Sequence, residues 1–160
     1  MFSGEEICDA LSGLGITHVV WTPDSLLGSW EEEFERRDDL QLVRACREGE
    51  AWLIAAGLHV GGARPVVMIQ CTGMFESGDA LRNALMDLRL PLFAVIGYRS
   101  YLVSDSPDSA RKFTEPILKA WGLEHVFLKT RDDLPRLSAH FRDCESAGKP
   151  GIALIAEGRM

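Results

Sequence analysis

The 160-residue chain is short of positive charge: seventeen Lys and Arg stand against twenty-four Asp and Glu, a net charge of −7. Nucleic-acid backbones are gripped by clustered cations, so this balance argues against a nucleic-acid partner. It leaves small anionic substrates open, because those are met by local groups. Cysteine is sparse too. Cys8, Cys46, Cys71 and Cys144 are widely scattered, with no C-x-x-C pair and no His at metal-ligand spacing, so no metal site is expected in this chain and the four read as small buried thiols. No stretch approaches the length of apolar sequence that a membrane span needs, and the start, with Gly4-Glu5-Glu6, has neither the basic nor the apolar part of a signal peptide. A reducing cytoplasm is the expected setting, without membrane contact. No Gly-x-Gly-x-x-Gly opens a helix, which removes support for a dinucleotide-binding domain. No repeat, low-complexity tract or linker divides the chain, and its length suits a single domain over residues 1–160.

What is present is a regular alternation. Ser3 can cap a helix carrying Ile7, Ala10, Leu11 and Leu14 at helical spacing, with Glu5 and Glu6 in its first turn and Gly15 at its end. Strands are read at 17–21, 41–45, 65–69, 90–97, 124–128 and 150–156, and helices at 26–37, from Glu48 to Gly62, through Leu81 to Leu88, at 112–121 with Pro116 near the first turn, and at 132–144. Several strands, such as Leu90 to Gly97, are apolar throughout, as when both faces of a sheet are covered. Strand and helix alternating in this way predict an α/β fold: an open, mostly parallel six-stranded sheet with helices on both faces. In such sheets ligands gather beyond the carboxyl ends of the strands. That places the Pro23-Asp24-Ser25 loop and the stretch Gln70-Cys71-Thr72-Gly73-Met74, read as a second loop, where a site would be. Asp24 and Ser25 equally suit an ordinary turn and helix cap.

The most informative stretch runs from Ala45 to Gly62, where a short strand ends and a helix apolar over most of its circumference begins. Glu48 stands near the start of that helix. A Glu there can simply complement the helix dipole, but an all-round apolar helix implies a buried leading end, where a carboxyl group is costly to ionise and its pKa is expected to be raised. Glu50 is the rival carboxylate, turned away from Glu48.

At these residues a resemblance becomes visible. Glu48-Gly49-Glu50-Ala51 followed by Ala55-Ala56-Gly57 resembles the glutamate motif of the pyrimidine-binding domain of thiamine diphosphate enzymes. Thr22-Pro23-Asp24-Ser25-Leu26-Leu27 is similar to the Pro-Asp-Ser segment of phosphonopyruvate decarboxylases and sulfopyruvate decarboxylase α subunits, and Met68 to Met74 resembles their Met-Gln-Asn-Ser-Gly-Leu segment. The resemblance implies thiamine diphosphate as cofactor and Glu48 as the catalytic group that hydrogen-bonds the aminopyrimidine and controls its proton. It implies Pro23, Thr72, Gly73 and Met74 as further cofactor contacts, with Asp24 and Ser25 toward the carboxylate of a 2-oxo acid substrate. Where Leu-Gly-Asn usually follows the first Gly of the family's segment, Met74-Phe75-Glu76 stands here.

The family holds the diphosphate and its Mg²⁺ with a Gly-Asp-Gly and a later Asn, and no such motif occurs in this chain. Gly78-Asp79-Ala80 falls inside a helix. The chain therefore resembles half a site, like the α subunit of a two-component decarboxylase whose β subunit carries the diphosphate half and the Mg²⁺, the two forming a hetero-oligomer. A carboligase subunit and a noncatalytic assembly module are the alternative readings. A sulfonate or phosphonate substrate would need a cation, for which Arg44, Arg47, Arg99 and Arg111 are the candidates.

Overall fold

In a computed structural model of the chain, which describes residues 2–24 and 27–158, six parallel strands form one sheet in the order β2-β1-β3-β4-β6-β5. These are β1 (His18–Trp21), β2 (Gln41–Arg44), β3 (Pro65–Gln70), β4 (Phe93–Tyr98), β5 (His125–Leu128) and β6 (Gly151–Ala156). The three central strands are buried at every position, which is why their sequences are apolar without alternation.

Helices cover both faces. On one lie α1 (Gly4–Gly13), α2 (Glu31–Arg36) and α7 (Leu134–Ala147), packing Ile7, Leu11, Phe34, Leu137 and Phe141 against Val66, Met68, Val95 and Ala153. On the other lie α3 (Glu48–Val60), α4 (Cys71–Glu76), α5 (Gly78–Arg82) and α6 (Ser109–Ala120), packing Trp52, Ala55, Met74, Leu81 and Leu118 against Val67, Ile69, Ala94 and Ile96. The odd and even residues of each strand thus serve separate cores, as the two-residue period of a strand requires.

Several sequence expectations are corrected in detail. The stretch after β3 is the short helix α4, not a loop. The helix expected through Leu81 to Leu88 is broken into α5 and a π-turn at Asn83–Asp87. The charged helix at 26–37 divides into a 3-10 turn, Leu27–Trp30, and α2. Helix α6 starts three residues earlier than expected because Asp108 caps it, accepting from the Ala110 N–H at 3.0 Å, so Pro116 falls in the helix interior. Cys46 is exposed, while Cys8, Cys71 and Cys144 are buried as expected.

The start of α1 forms a complete capping box: the Ser3 hydroxyl accepts from the Glu6 N–H at 3.2 Å and Glu6 accepts from the Ser3 N–H at 2.8 Å. Substitution of Ser3→Ala is expected to lower unfolding free energy by about 1 kcal/mol. Urea denaturation followed by circular dichroism measures it.

Candidate functional site at the carboxyl edge of the sheet

Because every strand runs the same way, the segments leaving β1, β3, β4 and β6 emerge along one edge of the sheet, together with the start of α3 after β2. Thr22 to Asp24, Glu48, Gln70 to Gly73, Tyr98 to Ser100 and Glu157 therefore share that edge.

Glu48 is the first residue of α3, half-buried, and so less sequestered than the apolar sequence of the helix implied. Further along α3, Leu53 is 52% and Val60 75% exposed, so part of its apolar circumference is left uncovered by this chain. The Glu48 side chain lies directly on Gly73 of α4; a β-carbon at residue 73 would fall inside its Cγ and carboxyl group. Only Gly lets the carboxylate lie there.

Three contacts hold α3 in register with α4 and so place Glu48 over Gly73. Glu76 accepts from the Gly49 N–H at 3.1 Å, satisfying one of the free N–H groups at the start of α3. The same carboxylate pairs with Arg47, whose guanidinium, followed by that Gly49 N–H, holds its pKa below the usual carboxylate range. One turn beyond Glu48, fully buried Trp52 donates from its indole N–H to Ser77 Oγ at 3.0 Å, and Ser77 Oγ donates to the Met74 carbonyl at 3.2 Å. Glu76, a departure from the resembled motif, thus acquires a structural role. Glu50 is exposed and accepts from the Cys46 N–H at 3.2 Å, an N-terminal capping contact that turns it away from Glu48.

The remaining predicted residues divide. Thr72 is half-buried and donates from Oγ1 to Gln70 Oε1 at 3.0 Å. Met74 is fully buried in the core on the α3 face, so its side chain is unavailable to a ligand and only its backbone can serve one. Pro23 is exposed; Asp24 is half-buried and accepts from the Leu27 N–H at 2.8 Å through Oδ1, the capping contact that its residue type allowed. Ser25 lies outside the described residues. Among the candidate arginines, Arg44 is held between Glu31 and Glu35, Arg47 by Glu76, and Arg111 donates to the Ser104 carbonyl at 2.9 Å. Arg99, just beyond β4, pairs with Asp108 at 2.9 Å, and its charge also reaches Glu157.

Glu157 went unnoticed in the sequence. It follows β6, is only 2% exposed, and accepts a 3.4 Å hydrogen bond from Gln70 Nε2. Burial, reinforced by the charge of Asp24, pushes its pKa up to about 8. A carboxyl group one residue past an apolar strand was the available signal. Among the described residues, no group of three or more His, Cys, Asp or Glu side chains is placed to hold a metal ion, and no helix is long and apolar enough to cross a membrane.

A sulfopyruvate decarboxylase from Methanosarcina acetivorans is 25% identical to this chain over 118 residues, which is 71% of this chain and 30% of that protein. The sulfopyruvate decarboxylase subunit alpha of Methanococcus maripaludis is 21% identical over 139 residues, covering 86% of this chain and 83% of the subunit. The chain is thus similar to sulfopyruvate decarboxylases over most of its length. No family model matches the chain. The crystal structure of benzoylformate decarboxylase from Polynucleobacter necessarius superposes with a TM-score of 0.76 at 20% identity, over 96% of this chain and 29% of that one. The fold of the chain is thus the open parallel sheet found within that larger decarboxylase, and the chain spans less than a third of the Methanosarcina acetivorans protein it matches.

The Glu76 contacts generate a pH prediction. A carboxylate whose folded-state pKa is lowered contributes stability above its unfolded pKa and loses it as pH falls through the folded value. Glu76→Gln is therefore expected to melt below the native chain at pH 7, with the two melting temperatures converging below about pH 4 as the native carboxylate protonates. Melting curves across that range test this.

Proposed function

We propose that this chain is the pyrimidine-binding α subunit of a two-component thiamine diphosphate-dependent 2-oxo acid decarboxylase, acting on a sulfopyruvate- or phosphonopyruvate-like substrate. The observation that carries the reading is the Glu48 carboxylate laid across Gly73 at the carboxyl edge of the sheet. The residues of this chain fit one end of the cofactor. A half-buried carboxylate beside a Gly that leaves backbone open to close approach suits a flat, nitrogen-bearing ring. The other end has no counterpart in the sequence of this chain, which carries no Gly-Asp-Gly followed by an Asn. We therefore assign the diphosphate and its Mg²⁺ to a β subunit.

When bound, thiamine diphosphate supplies the electron sink that lets carbon dioxide leave a 2-oxo acid. The part of this chain is narrower. Glu48 accepts and returns a proton at a ring nitrogen, Gly73 and the backbone of Met74 give the ring a surface to rest on, and Thr72 and Pro23 border it. We assign Asp24 and Ser25 to the substrate's reacting end, as the resemblance implies, and Arg99, at the same edge and paired with Asp108, to a second anionic group. The apolar residues Leu53 and Val60 of α3, which this chain leaves uncovered, leave room for a partner on that helix.

In the reconstituted two-subunit enzyme, Glu48→Gln is expected to lower turnover by roughly two orders of magnitude or more, with folding unchanged. Near-native turnover would contradict the assignment. Isothermal titration of thiamine diphosphate and Mg²⁺ into the purified chain alone is expected to show weak binding, and tight stoichiometric binding would refute the division of the site between two subunits.

A further inference from the structure

Glu157 is a buried acid for which the decarboxylase reading finds no use. It follows β6 on the face of the sheet served by odd residues of that strand, next in line after Ile155, and its side chain folds back over the neighbouring strand. A β-carbon at Gly97 would collide with its carboxyl group. In the register of the sheet Gly97 pairs with Gln70 on one side and Ile155 on the other, so the carboxyl group crosses from β6 over β4 to reach β3. There Oε2 accepts from Gln70 Nε2 at 3.4 Å, while Gln70 Oε1 accepts from the Thr72 hydroxyl at 3.0 Å. The Gln70 amide is thus held at both ends, by Glu157 on one side and Thr72 on the other.

We propose that Glu157 is a positioning residue of the carboxyl-edge site, fixing the Gln70 amide and through it the Thr72 hydroxyl, one residue from the Glu48–Gly73 contact. This role rests on the reading of Glu48 and Thr72 as cofactor contacts. The geometry favours an uncharged acid. Oε1 is buried without a hydrogen-bond partner among the described residues, and leaving a charged oxygen so placed is costly. The titratable and charged groups facing it are Asp24 beyond β1, Arg99 beyond β4 and Cys71 at the start of α4. Burial and Asp24 oppose ionisation, whereas Gln70 and Arg99 favour it, and the first two prevail, with a midpoint of about 8. Above that pH Glu157 becomes an anion beside Asp24, and the arrangement around Gln70 loosens.

Two experiments test this. In the purified full chain, labelled on Glu and Gln side chains, the Glu157 carboxyl carbon resonance, identified by its absence in Glu157→Gln, is expected to titrate near pH 8, with the Gln70 side-chain amide resonance moving at the same midpoint. Because the folded-state pKa is raised, the stability that Glu157 gives is complete below its unfolded pKa and is lost as pH rises through about 8. The native chain should therefore lose melting temperature relative to Glu157→Gln over that interval. In the reconstituted enzyme Glu157→Ala is expected to weaken cofactor affinity about tenfold. Glu157→Gln, which keeps an uncharged side chain of the same shape, should restore affinity to near native and remove the alkaline limb near pH 8 from the native profile.

A carboxyl midpoint below pH 6, a Gln70 amide resonance that ignores it, or native affinity and pH profile in Glu157→Ala would overturn the proposal. Should Glu157→Ala not fold, Gly97→Ala, which displaces the carboxyl group while leaving it present, serves in its place with the same expected loss. Failure of the decarboxylase reading is recognisable separately: cofactor dependence would then be absent in native enzyme and variants alike, while the resonance measurements still decide whether Glu157 and Gln70 are coupled.

Discussion

The site depends on one helix being held in register with another. Helix α3 carries Glu48 and helix α4 carries Gly73, and their meeting is fixed by Glu76 on the Gly49 N–H and by the indole of Trp52 on Ser77. Both contacts come from the turn joining α4 to α5, so a few residues after β3 govern where the carboxylate of α3 lies. The Trp52 anchor is buried and neutral, and it persists whatever the ionic strength. The Arg47–Glu76 pair is exposed on the Arg side, with 71% of that side chain open to solvent, and its own energetic contribution is small. The worth of Glu76 lies in satisfying the leading N–H groups of α3, which have no intrahelical partner.

Two carboxyl groups sit at the carboxyl edge in contrasting surroundings. Glu48 is half-buried at a helix start. Glu157 is enclosed among strand ends, touching an amide and the backbone of a Gly. Environment rather than residue type separates the roles we propose for them: the first is accessible from solvent, and the second is shielded and reaches the site only through its neighbours. The division agrees with the general rule that groups of like chemistry can be assigned different tasks by burial and nearby charge.

Much of the fold was legible because its signals are local. Apolar runs as continuous as Val66 to Ile69 or Phe93 to Ile96 belong to strands covered on both faces, and Ser3 with Glu6 is a recognisable helix start. Strand order follows from long-range pairing and left no local trace. The site was legible in part. Glu48 stood out through its position ahead of an apolar helix, and Thr72 and Gly73 through their place after a strand. The burial of Glu48 was overestimated because an apolar helix face can be saved for another chain instead of this one, and sequence pattern does not distinguish the two. Met74 sits on the inner side of a short helix where a loop was expected. Glu157 could not be found by motif, since its burial arises from Gly97 on the adjacent strand, far away in the chain, and from Gln70 one strand beyond it.

The central claim is that the contact between Glu48 and Gly73 builds the cofactor-facing surface. Gly73→Ala tests it most directly, because the added methyl group meets a movable side chain and leaves the backbone of α4 undisturbed. Turnover of the reconstituted enzyme should fall by at least about tenfold, while the variant chain melts within a few degrees of native. Native turnover in Gly73→Ala, with the chain folded, would contradict the account.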